Sequence, residues 1–158
     1  MQRLNAKMRR GFSLIELVIV VVIIAIIGAI AIPRMSRGAA GAADSALVGT
    51  LSVLRGALDL YQTEHGGAYP TAANVEAALT SYTDEAGNTN ASKTAVFVYG
   101  PYLRKLPPLP VGAKKGKLNI AAADGASVGW IYDAASGNIA ANCAAGEADA
   151  RGVDYKDY

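Results

Sequence analysis

Leu17 to Ile32 is a run of sixteen apolar or glycine residues without a single charge. With Phe12 to Glu16 added, the stretch approaches the ~20 residues with which a helix crosses a bilayer. That run takes this part of the 158-residue chain out of any soluble core and leaves enough sequence for one domain. Four bases, Arg3, Lys7, Arg9 and Arg10, precede the run with no acid among them. The positive-inside rule keeps such an end cytoplasmic. The formal charge of +2 therefore misleads: removing those four from 15 bases leaves 11 against 13 acids, or −2, for residues 12–158. A general nucleic-acid binder carries the opposite balance. Cys143 is the one cysteine, so no internal disulfide can form, and it reads as a small buried side chain rather than a reactive thiol.

A basic head before an apolar run fits several export signals. A secretory signal finds a small-x-small site at Ala29-Ile30-Ala31, but Pro33 then follows almost at once and the run is long for a cleaved segment. Arg9-Arg10-Gly11-Phe12 suggests a twin-arginine signal, although those carry less hydrophobic cores. A plain signal anchor fits everything except Glu16, a carboxylate among residues suited to lipid. None of the three explains the acid.

Gly11, then Phe12-Ser13-Leu14-Ile15-Glu16, then an unbroken apolar helix, resembles the class III signal of type IV prepilins and pseudopilins. The resemblance implies a peptidase that cuts after Gly11 on the cytoplasmic side and methylates the new amine of Phe12. Glu16 is then the fifth mature residue, the family's hallmark acid, and Pro33 the twenty-second, where the family commonly carries proline. Physics supports a role for the acid. A carboxylate in a membrane helix costs roughly 2.5–3.5 kcal/mol and so wants a partner. At ~1.5 Å rise per residue, the fifth residue lies only about 6 Å along the axis from the first. A neighbouring subunit shifted by about one turn can then set its Phe12 amine against Glu16. The competing reading has Glu16 snorkelling to the headgroups.

Beyond Pro33, which weakens the helix, and flexible Gly28, Gly38 and Gly41, helical patterning resumes. Leu47, Leu51, Leu54, Leu58 and Tyr61 recur at spacings of four and three, one apolar stripe that needs a cover. Arg55 and Asp59 read as a solvated i, i+4 pair. His65-Gly66-Gly67 and Pro70 stop a helix of ~80 Å that starts at Phe12. His65 reads as a capping or solvated residue at an exposed helix end.

In the remaining chain Thr71 reads as the N-cap of a short helix through Val75, Ala78 and Leu79. Residues 83–95 read as a polar surface loop. "VFVYGPYLRKLPPLP" starts strand-like and ends in prolines that forbid a central strand. "SVGWIYD" and "GNIAANC" read as a hairpin, with "KLNIAAA" as a further strand. The expected class is α+β, a long helix whose second half packs on a small antiparallel sheet. The expected divisions are a cleaved leader 1–11, a membrane and filament-core helix 12–33, and a head 34–158. "ALDLYQTEHGGAYPT", "YLRKLPPLP" and "GWIYDAASGNIAAN" resemble, in that order, segments of pseudopilin and pilin-like heads.

Many type IVa pilins staple a C-terminal loop with a disulfide, which this chain cannot do. Major pseudopilins of type II secretion often lack it and use calcium in the same region. The acidic candidates are Asp124 and Asp133, beside Gly125 and Asn138. Two acids are few against the six to eight oxygens calcium wants, and turn residues are the favoured reading. No cofactor is otherwise indicated. No nucleophile elbow, metal-ligand spacing or phosphate loop points to an enzyme. Arg104, Lys105, Lys114, Lys115 and Lys117 raise DNA uptake, against the favoured reading of a solvated basic loop. Asp154, Tyr155, Lys156 and Asp157 match the start of a common epitope tag, so the tail stays out of the functional reading. The resemblance implies a subunit anchored in the bacterial inner membrane, its head periplasmic, assembled with identical and related subunits. It also implies a prepilin peptidase/methyltransferase, the lipid bilayer and an inner-membrane platform with an ATPase as partners. A type II secretion pseudopilus is the first reading, a type IV pilus the alternative, and a single-pass anchored protein of another kind the second alternative.

Overall fold

The computed structural model describes residues 11–158, without the side chains of residues 32–37. The bases ahead of Gly11 and the side chain of Pro33 lie outside the described residues. The described residues divide into two units, 11–39 and 40–158.

Helix α1 spans Leu14–Glu64 and runs through Pro33 without a break in assignment. Its Leu14–Ala31 segment is long and apolar enough to cross a membrane, and none of it is buried against the chain itself. Glycines end the helix as the pattern predicts. Gly66 and Gly67 take positive φ, and the Gly67 amide reaches back to the Gln62 carbonyl at 2.8 Å.

In the second unit the stripe is covered. Leu47, Leu51, Leu54, Leu58 and Tyr61 are all buried. Four of them join one core cluster with Trp130, Tyr132 and Ile139. The expected hairpin is β4 (Val128–Tyr132) and β5 (Ile139–Ala141), antiparallel, with Trp130 opposite Ala141 and Tyr132 opposite Ile139. The third strand, β3 (Asn119–Ala121), joins β4 in parallel, so the sheet is mixed rather than wholly antiparallel. Gly129 permits that approach. A Cβ there would stand 2.4 Å from the Lys117 carbonyl oxygen, far inside van der Waals contact. The α+β class with a long helix over a small sheet is the architecture observed.

Smaller elements differ from expectation at their edges. Helix α2 is Val75–Thr80, and its N-cap is Asn74, not Thr71. The Asn74 amide makes no cap bond, because it donates to the Gly87 carbonyl at 2.9 Å. The polar loop contains a two-residue pair, β1 (Tyr82–Thr83) with β2 (Thr89–Asn90), turned around Asp84 and Asn88. Tyr99 adds a single antiparallel bridge to Thr83, which is all the strand that "VFVY" makes. The Tyr-Pro step after α1 is anchored to the hairpin: the Tyr132 hydroxyl donates to the Pro70 carbonyl at 2.9 Å. Tyr69 closes on Gly137, where φ is +72° and a Cβ would fall 2.2 Å from the ring.

Candidate functional site

Gly11, Phe12 and Ser13 precede α1 in non-helical chain, and the first helical turn begins at Leu14. Gly11 does not have a positive φ, and among the described residues a Cβ built on it meets nothing within 4 Å. The fold of the described residues therefore does not require glycine there. Phe12 is 75% exposed, on the same open approach. Glu16 sits in the first turn of α1 and is exposed, as are Leu14, Ile15 and Leu17 around it. Among the described residues none donates a hydrogen bond to its carboxylate. A carboxylate at a helix N-terminus gains about 0.3–1 kcal/mol from the helix dipole, less than its cost in lipid.

The two acids considered for a cation stand at opposite ends of β4. Asp124 precedes it, paired with Lys114 and accepting from the Asn142 amide at 2.9 Å. Asp133 follows it, accepting from the Ala135 amide at 3.0 Å and the Ser136 hydroxyl at 2.6 Å. Each carboxyl is held below its ordinary range, Asp124 first by Lys114 and Asp133 first by Ser136. A strand of five residues separates them by on the order of 15 Å, so one ion cannot take both. Among the described residues no group of three or more His, Cys, Asp and Glu is placed to hold a metal.

Three side chains differ from their sequence reading. His65 is buried, not solvated, and its ring stacks on Tyr61 with centroids 3.8 Å apart. Its Nδ1 faces the Tyr61 carbonyl at 2.8 Å and its Nε2 the Asp84 carbonyl at 2.9 Å, tying the end of α1 to the β1–β2 turn. Arg55 makes no ion pair with Asp59. Its guanidinium donates to the main-chain oxygens of Ile139, at 3.2 Å, and Tyr158, at 2.6 Å. Lys114 leaves the basic loop for its pairing with Asp124. Cys143 is half-buried, with its thiol pushed up to about 11 by burial and then by Glu147, which suits an inert side chain.

The sequence reading missed the closure of the C-terminal segment. Asp149 is buried and accepts from the backbone amides of Arg151 and Val153, the Arg151 guanidinium and the Tyr158 hydroxyl. Tyr155 donates to Asp44 on α1 at 2.8 Å. Tyr155 and Tyr158 pack on the core cluster, so the tag-like residues are built into the fold. The signal that could have found this is Asp149-Ala150-Arg151-Gly152, an Asp-x-x-Gly turn ahead of two tyrosines. The Asp149 carboxyl is held well below the carboxylate range, first by Tyr158, then by the Val153 amide and Arg151. A depressed carboxyl contributes stability above its unfolded pKa of ~3.9 and loses it as pH falls towards the folded value. Asp149→Asn should therefore lower the melting temperature of the head by several degrees at neutral pH, with the difference from wild type shrinking in acid. Equal melting at pH 7 would show that the carboxylate does not hold the tail.

Comparison with known families gives one match, described as the prokaryotic N-terminal methylation motif, over residues 6–32. It covers Gly11, Phe12, Glu16 and the apolar part of α1 and leaves the head outside. Neither a curated protein nor a solved structure matches the chain. The matched segment, carried on an exposed apolar helix, implies processing by a prepilin peptidase, anchoring in a membrane and assembly with other pilin subunits. That match, with the apolar helix that carries it, supports a prepilin-type N-terminus of the kind found in type IV pilins and pseudopilins.

Proposed function

We propose that the chain is inserted in the bacterial inner membrane with its basic leader inside and its head in the periplasm. It is then cut between Gly11 and Phe12, methylated at the Phe12 amine and added to a helical filament. The single observation that carries this is the methylation motif on a helix start that is open and needs no glycine of its own. Glu16 receives the Phe12 amine of a neighbouring subunit. Pro33, which removes one helix donor, lets the helix loosen locally as it leaves lipid. The platform is the ATPase-driven inner-membrane machine of the family. We assign the filament to a type II secretion pseudopilus, major-subunit type, on the lack of any possible internal disulfide.

Gly11 supplies the direct test. Gly11→Ala changes nothing the fold uses, so melting of the head should stay that of wild type. Intact mass from membranes containing the peptidase should then show the uncut chain, whereas wild type loses residues 1–11 and gains a methyl. A wild-type chain left uncut, or cut near Ala31, would return the protein to a plain anchor or a secreted protein.

A further inference from the structure

Two apolar hollows open on the head and share no residue. The larger, about 690 Å³, is lined by Leu106, Pro108 and Leu118 and rimmed by the exposed Arg104 and Lys105. Leu118 is 44% exposed. Lys115 and Lys117, both exposed, flank Gly116 in its wall. Among the described residues none of these four cations has a carboxylate within 4 Å, and no acid lines the hollow. The smaller, about 330 Å³, joins Val96 and Val98, 64% and 42% exposed, to Asp84 and Glu85, and no cation lines it. The Asp84 carboxyl is held low, chiefly by Asn88, and stays charged at neutral pH.

A phosphate polymer would neutralise the basic rim but leave its leucines and proline wet. An acidic surface with an apolar centre would satisfy both. The second hollow has that composition. Bringing either hollow against its own image would set like charges face to face, which disfavours a closed two-fold dimer. Joining unlike hollows leaves one of each free on every pair, so the contact repeats without closing.

Resting on the assembly reading above, we infer that the basic hollow around Leu118 receives the acidic, valine-bearing surface around Val96 of a second copy of this chain. The contact is head to head and directional. It adds to the stalk a registration between subunits that depends on Arg104, Lys105 and Glu85.

The test uses the full chain with Cys143→Ala, so that no native thiol competes. Leu118→Cys and Val96→Cys copies are co-produced with a prepilin peptidase and an assembly platform, then oxidised. Disulfide-joined dimers should form in the mixture, roughly tenfold above either variant alone. Arg104→Glu with Lys105→Glu on the Leu118→Cys copy should remove them, and Glu85→Lys on the other copy should bring them back. Equal joining within one variant, or sheared filaments without mixed dimers, would overturn the contact while leaving assembly standing. Absence of filaments from the Cys143→Ala parent and from wild type would overturn the assembly reading and the contact with it. Duplex DNA held by the basic hollow, with steep salt dependence lost in Arg104→Glu, would assign that hollow to nucleic acid instead.

Discussion

Glu16→Ala leaves removal of residues 1–11 intact and abolishes the filament; that is the expected result, read by intact mass and by the yield of sheared filaments. On the proposed reading the peptidase recognises Gly11 and Phe12, which lie ahead of the helix, whereas Glu16 lies in its first turn. Assembly, on the same reading, depends on the carboxylate. Without it, the proposed pairing leaves a neighbour's N-terminal amine alone in an apolar core. At ~2.5–3.5 kcal/mol for an ion in such a place, each subunit addition loses on the order of a hundredfold. The competing role is local, since Glu16 lies in the first turn of α1 and complements the helix N-terminus. Two variants separate the roles. Glu16→Gln removes the charge and keeps the shape, and should fail to assemble like alanine. Glu16→Asp keeps the charge one methylene short and should assemble in part. Normal filaments from the Gln variant would overturn the charge pair.

What the sequence made legible followed from periodicity and local chemistry. The stripe from Leu47 to Tyr61 is buried as its spacing implies, and the helix stops where Gly66 and Gly67 supply positive φ. The hairpin around Asp133 to Asn138 is turn chemistry flanked by β-prone runs. What stayed hidden depends on partners distant in sequence. Arg55 looked solvated because its two acceptors lie 84 and 103 residues away. His65 looked exposed because the carbonyl that faces it comes from Asp84, in a loop that polarity alone made featureless. β3 read as another antiparallel strand, and its parallel pairing turns on Gly129 admitting the Lys117 backbone, a contact no pattern encodes. At the candidate site the division is similar. Gly11, Phe12 and Glu16 are legible because the motif is local, whereas the tail closure on Asp149 needs the folded chain to bring Asp44, Arg151 and Tyr158 together.

Trp130→Ala should separate processing from assembly from the opposite end of the chain. Trp130 is fully buried at the centre of β4, between β3 and β5, and its indole N–H donates to the Pro107 carbonyl at 3.0 Å. Removing the ring costs about 3–5 kcal/mol, a large share of the ~5–15 kcal/mol that holds a domain folded. The melting temperature of the head should fall by roughly 10–20 °C. Trp130→Phe keeps most of the apolar volume and loses the donor, leaving the Pro107 carbonyl unpaired for about 1–3 kcal/mol, a smaller fall. Neither variant touches residues 11–16, so both should be cut after Gly11 in membranes containing the peptidase. Filament yield, in contrast, should fall with the stability of the head, because the stripe on α1 shares one core cluster with Trp130 and Tyr132 of β4. A Trp130→Ala chain that melts like wild type would mean that the sheet is not what closes the stripe. One that melts early yet assembles normally would show that the helix alone is sufficient for the filament.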